Sequence, residues 1–400
     1  MIRRDGGDAD PDGDPTLNVL FSLDNYDHGS GGAEASAQGL ARYLAQRGHR
    51  VDVLQRGESE TAYDDGPVRV HTRPLPARGP LESRQRRTAE WNRIWRERLD
   101  QRLAERGADL IVTHAQFVPA SVDAARAHDI PVAAFVRAYR PFCPMQFKNR
   151  DPLRECTGGC LECLPWYRRV RAAALRRELE VQQRALKGAT AVFANSRYVQ
   201  DVIRKFLGIN AEVVYPAVDL SGAEEARREE QGDAVLFVKP QLVKGFPIFL
   251  EVARRMPDTR FRVAGKASAR VQRRLGALAN VEMLGWVRNM DRAYARARVL
   301  MGPSIWPEPF GRVFVEAAAH GVPAVASARG GIPEAVGDGG ILVDDIFAAE
   351  RWVAALHEIS EPAAWAGYSA NGREHAKRFT IDVSGAAFVA GIQKSTGLTL

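Results

Sequence analysis

No apolar run in these 400 residues is long enough to cross a bilayer, and no charged-then-apolar leader opens the chain. A membrane span is therefore not expected, and a cytoplasmic location is. Cysteine is scarce: there are four, all between residues 143 and 163. Neither the Walker phosphate-binding pattern nor the dinucleotide glycine fingerprint occurs in the glycine-rich loop after the first apolar run. Lysine is rare beside arginine, so arginine carries almost all of the formal net charge of +7. No nucleic-acid-binding motif accompanies that charge, so nucleic acid is not an expected partner. The first fifteen residues, MIRRDGGDADPDGDP, hold nothing to bury and read as a disordered arm.

What is present is ordinary for a folded enzyme: 45% hydrophobic and 26% charged residues, at a length that usually splits into two cores. Short apolar runs alternate with helical stretches. NVLFSL (18–23), VDVLQ (51–55), DLIVTH (109–114), VAAFVR (132–137), AVFANS (191–196) and EVVYPAV (212–218) read as strands, with a helix over 33–48. The charged segment 221–233 breaks the pattern. It restarts with AVLFVK (234–239), FRVAGK (261–266), VEMLGWV (281–287), RVLMGPS (298–304) and PAVAS (323–327). Such alternation predicts two doubly wound, parallel-sheet α/β domains, residues 16–218 and 219–384, facing across a cleft. A last helix, 385–400, is expected to cross back to the first domain.

Two stretches are dense in arginine, 84–107 and 168–188. In the first, Trp91, Trp95, Leu99 and Leu103 recur every four residues and form one helical stripe. That stripe fits either a surface helix packed on the core or an amphipathic helix lying on an anionic membrane surface.

Open α/β sheets bind ligands beyond the carboxyl ends of their strands, and the distinctive motifs fall there. DNYDHGSGGAEASAQ (24–38) places Gly29, Gly31 and Gly32 before a helix start, which suits a phosphate or a plain tight turn. VLFVKPQLVKGFPIF (235–249) puts Lys239 and Lys244 in a loop leaving a strand, as diphosphate contacts or solvated surface lysines. PSIWPEPFGRVFVEAAAHGVPAVAS (303–327) sets Glu308 in a loop and Glu316 on the following helix. Carboxylates so placed accept hydrogen bonds from sugar hydroxyls, or serve as a loop acid and a helix-start glutamate.

Together these motifs resemble the retaining family-4-type glycosyltransferases, whose B-type fold has two Rossmann-like domains. Residues 303–337 look like the donor-site signature, and 18–54 resemble the family's opening. The resemblance implies a nucleotide-sugar donor, with Glu316 on its ribose and Glu308 against its sugar. Backbone amides of Phe310 and Gly311 would touch the sugar hydroxyls, Gly31 and Gly32 the phosphates, and Gly285, Trp286 and Val287 the base. Lys244 matches the family's diphosphate lysine. Lys239 stands where an arginine is usual, and Val238 where a glycine is. His114 is the match for a histidine that approaches the donor sugar, and Arg137, Tyr139 and Arg140 fall on the acceptor side. The implied chemistry is transfer to a hydroxyl of a glycan, glycolipid or small molecule with front-face retention. His114, Glu308 and Lys244 are the expected catalytic residues. No Asp-x-Asp motif stands in a suitable loop, so no cofactor is expected for the chemistry itself.

Cys143, Cys156, Cys160 and Cys163 would close a tetrahedral structural zinc site. Disulfides, plain thiols or an iron–sulfur cluster are the alternatives. Two other functions share parts of these features. A sugar-nucleotide epimerase of the same fold needs acid/base residues at the sugar's second carbon, which are not evident. A metal-containing basic binding protein leaves residues 303–337 unexplained.

Overall fold

A computed structural model describes residues 16–26, 31–77, 84–146, 163–164, 166–169, 172–221, 223 and 232–400. The fifteen-residue arm, Gly29, Cys156 and Cys160 lie outside them.

The chain forms two α/β units. The first sheet has eight strands in the order β3-β4-β2-β1-β5-β6-β7-β8: β1 Asn18–Leu23, β2 Arg50–Gly57, β3 Thr61–Asp65, β4 Val68–Pro74, β5 Leu110–His114, β6 Val132–Val136, β7 Ala191–Ala194 and β8 Glu212–Val213. All neighbours run parallel except β3 and β4, which form an antiparallel edge. The second sheet is wholly parallel, in the order β11-β10-β9-β12-β13-β14: β9 Ala234–Val238, β10 Phe261–Ala264, β11 Val281–Gly285, β12 Ala297–Gly302, β13 Ala324–Ser327 and β14 Gly340–Val343. This is the doubly wound dinucleotide-type order, which reverses between β9 and β12. The first sheet reverses between β1 and β5. Strands such as LIVTH and VAAFV are buried at every position because helices cover both faces.

The edge hairpin β3–β4 and the short β14 were not anticipated. TAYDD is exposed and polar on the sheet's rim, so it lacks the apolar run that marks the inner strands. EVVYPAV shortens to the two residues of β8, because its neighbour β7 ends at Ala194, opposite Val213.

The arginine-rich stretch 84–107 forms the helix Arg84–Arg106, and its stripe faces inward. Trp95 and Leu99 are fully buried, Leu103 nearly so, and Trp95 stacks on Phe117 with ring centroids 4.1 Å apart. These side chains belong to the first unit's core, so the membrane-surface alternative loses the apolar face it needed. Among the described residues no helix is long and apolar enough to cross a membrane.

The last helix, Ile381–Thr396, packs on the first unit. Phe388 lies 5.1 Å from Phe193 and 5.7 Å from Phe135, within the core that also holds Phe21 and Leu40. The chain thus passes between the units twice, near 214–220 and at 379–381. The two crossings touch: Val218 N donates to Phe379 O at 2.7 Å, and the Tyr215 and Phe379 rings meet edge to face.

Candidate active site

The carboxyl ends of both sheets face one cleft. From the second unit, the loop leaving β9 carries Lys239 and Lys244, and the loop leaving β12 carries Glu308. Ile305 N and Trp306 N both donate to Val243 O at 3.0 Å, which fixes one loop against the other. Gly245 makes the junction possible: its φ is +81°, and a Cβ there would lie 1.7 Å from Pro303 O. The resulting geometry sets Lys244 Nζ 2.7 Å from Glu308 Oε2, with the ammonium 5.5 Å from the centre of the Trp306 ring. Glu308 is buried, and its backbone bridges to Gly330, whose φ of +64° and missing Cβ let the chains touch.

Gly311, at φ +105°, turns the chain into the helix Arg312–Ala319. Phe310 places its ring in the core against Tyr215 and Phe379, so only its backbone is available at the cleft. Glu316 is held on both oxygens: Tyr294 Oη donates to Oε2 at 2.8 Å, and Arg312 Nε donates to Oε1 at 2.7 Å. Burial, with Glu316 beside it, pushes the Tyr294 hydroxyl far above its ordinary pKa, so it stays a donor to the carboxylate. Lys239 is exposed at φ +60°, and lines the same cavity as Lys244, Glu308 and Arg312. Gly285 and Trp286 are exposed at the end of β11, Val287 is half-buried, and Lys266 lies over the Trp286 ring at 5.2 Å.

From the first unit, His114 ends β5 and Arg137 follows β6. Arg137 Nη1 lies 3.2 Å from His114 Nδ1 and also donates to Ala33 O. Arginine has only donors, so His114 Nδ1 is the acceptor and Nε2 carries the ring proton. Burial first, and then the Arg137 charge, lower the His114 pKa from 6.5 to about 3, so the ring is neutral near pH 7. Burial lowers Arg137 to about 10; Glu34 opposes this and Arg312 adds to it, and the guanidinium remains charged. Gly31 and Gly32 open the helix Gly32–Gln46, and Arg312 Cδ lies 3.4 Å from where a Cβ on Gly32 would stand.

Two expected acceptor-side residues have other partners. The Tyr139 hydroxyl donates to Pro307 O at 2.7 Å, and its ring meets Trp306 edge to face. Arg140 pairs with Glu178 at 3.4 Å. Tyr139 therefore holds the Glu308 loop from across the cleft, together with Trp306 Nε1, which donates to Gln146 O at 2.7 Å. Glu334 joins the units close by, the rings of Tyr139 and Tyr198 meeting edge to face. Its carboxylate accepts from Arg197 N, Tyr198 N and Tyr215 Oη at 2.8–2.9 Å, and so caps the start of the helix Arg197–Leu207. Cys143 is buried and Cys163 half-buried. With Cys156 and Cys160 outside the described residues, the zinc ligand set stays an expectation.

Arg312 was not singled out in the sequence. The signal was present: a cation in the first turn of a helix, where the dipole disfavours it.

The architecture defines the class first: two Rossmann-like domains across a cleft, the B-type glycosyltransferase fold. Solved structures of the same fold include sucrose-phosphate synthase from Thermosynechococcus elongatus (TM-score 0.72, 18% identity, 94% of this chain and 98% of that one). Anabaena HepE in complex with UDP is another (TM-score 0.68, 19% identity, 94% and 100%). In sequence, residues 30–221 match the model described as Glycosyltransferase Family 4, and residues 233–361 the model described as Glycosyl transferases group 1. The chain belongs to this glycosyltransferase family. The D-inositol 3-phosphate glycosyltransferase of Segniliparus rotundus is 34% identical over 207 residues, 45% of this chain and 46% of the relative. That of Mycolicibacterium smegmatis is 35% identical over 195 residues, 42% and 44%. The chain spans about half the length of these relatives.

Proposed function

We propose that this protein is a retaining glycosyltransferase that moves a sugar from a nucleotide-diphosphate sugar to a hydroxyl acceptor. One observation carries the reading: Glu308 and Arg312 line one cavity, and Glu308 and Glu316 each have a cation 2.7 Å away. Carboxylates spaced in this way can accept from the hydroxyls of a hexose and of a ribose, while the cations meet the diphosphate between them.

In the proposed reaction the leaving diphosphate departs toward Lys244 and helps to deprotonate the acceptor hydroxyl on the same face of the sugar. Electrostatic stabilisation of that leaving group lowers the barrier most. Neutral His114 donates from Nε2 to a sugar hydroxyl, and Arg137 fixes its tautomer through Nδ1. No step is assigned to a metal. The similarity to D-inositol 3-phosphate glycosyltransferases makes a phosphorylated polyol the first acceptor to try, ahead of a glycan or a glycolipid. Attachment to an anionic membrane is not part of the proposal.

The test is calorimetric titration with UDP, GDP, ADP and dTDP of the wild type and of Glu316→Ala. Micromolar binding of one nucleotide, weakened tenfold or more by the substitution (about 1.4 kcal/mol or more), is the expected result. Binding of none of the four overturns the reading.

A further inference from the structure

Arg312 occupies a place that little in the protein itself rewards. It begins the helix Arg312–Ala319, so its charge meets the positive end of the helix dipole. Its Nε is committed to Glu316 Oε1. Its Nη1 is closed off from water and has no acceptor among the described residues. A second guanidinium, Arg137, is close enough for repulsion from Arg312 to lower its pKa. The dipole, the unmatched Nη1 and the repulsion from Arg137 would each be relieved by an anion in the cleft.

The surroundings say which anion. Arg312 lines the same cavity as Lys244 and Lys239, and its stem lies against the start of the helix Gly32–Gln46. Lys239 offers a single-point cation where the family usually has a guanidinium, and it is exposed. We propose that Arg312 binds the diphosphate of the donor, opposite Lys244, and supplies the planar fork that Lys239 lacks. The proposal rests on the nucleotide-sugar reading above and adds a phosphate ligand to it.

The geometry gives Arg312 two tasks at once. Nε orients Glu316, the carboxylate placed on the ribose, while the terminal nitrogens point two donors at phosphate oxygens. Phosphate oxygens drawn to Lys244 would also release Glu308 from its ion pair, freeing that carboxylate for the sugar. Diphosphate and sugar recognition are then coupled through two cations rather than independent.

The experiment compares a nucleoside diphosphate with its own nucleoside. The nucleotide among UDP, GDP, ADP and dTDP that binds the wild type is titrated, by competition where weak, against wild type, Arg312→Met and Arg312→Lys, with thermal melts run alongside. Expected is a tenfold or greater loss of diphosphate affinity in Arg312→Met, a less than threefold loss for the nucleoside, and an intermediate value for Arg312→Lys. Equal losses for the two ligands overturn the assignment, because Arg312 would then only orient Glu316. No loss for either also overturns it. If Arg312→Met melts below the assay temperature, Arg312→Lys alone decides: it must lose diphosphate affinity selectively. A wild type that binds none of the four overturns the donor reading itself, which keeps the two failures apart.

Discussion

His114 is buried at the end of β5 with a folded pKa of about 3, against an ordinary value of 6.5. Above pH 6.5 the ring is neutral in both the folded and unfolded chain, and contributes no pH dependence. Below 6.5 the unfolded chain takes up a proton that the folded chain refuses, so stability falls until the pH approaches 3. Each pH unit in that window is worth about 1.36 kcal/mol, so by pH 5 the loss from this group is about 2 kcal/mol. Many other groups titrate there, and a variant cancels them. In His114→Asn the amide oxygen still accepts from Arg137, but nothing at that position titrates. Unfolding free energies from urea titration of both proteins at pH 8, 6.5, 5.5 and 5 give the difference directly. The wild type should lose about 2 kcal/mol relative to the variant between pH 8 and pH 5, with almost no change above 6.5. Parallel curves would refute the reasoning, since His114 would then be protonating within the fold and could not be accepting from Arg137.

Two further outcomes follow from the loops that build the cleft. Gly245→Ala forces a Cβ to within 1.7 Å of Pro303 O at φ +81°, and should cost about 3 kcal/mol or more by urea unfolding, with nucleotide binding lost. Unchanged binding would mean that the two loops are not joined as described. Tyr139→Phe removes the hydroxyl on Pro307 O at a cost of roughly 1–3 kcal/mol. Steady-state kinetics should show kcat reduced with acceptor KM unchanged, whereas a rise in acceptor KM alone would return Tyr139 to the acceptor.

The parallel sheets were legible because strands covered on both faces become unbroken apolar runs, as in LIVTH and AVLFV. The β3–β4 edge was not, since a rim strand open to water needs no such run. Among the site residues, those defined by backbone geometry could be read from the sequence: Gly311 before a helix, and Glu316 one turn into Arg312–Ala319. Partners could not. Nothing in the sequence near Tyr139 says that its hydroxyl reaches Pro307, some 170 positions away. Nor does DLIVTH say that the imidazole of His114 will face a buried guanidinium from the next strand.

The double passage of the chain between its two units limits how they can move. The crossing at 214–220 and the one at 379–381 are tied to each other by Val218 N on Phe379 O and by the Tyr215 ring. Two covalent connections that lie side by side behave as the pins of one hinge: translation of either unit would tear the pair apart, while rotation about their common line would not. Contacts near the pins, such as Tyr215 on Glu334, need shift little as the angle changes. Tyr139 on Pro307 and Trp306 on Gln146 also cross between the units, and a rotation strains each in proportion to its distance from that line. An opening rotation therefore reaches the Glu308 loop through Tyr139 and Trp306, while that loop's bonds to Val243 and Gly330 stay within one unit.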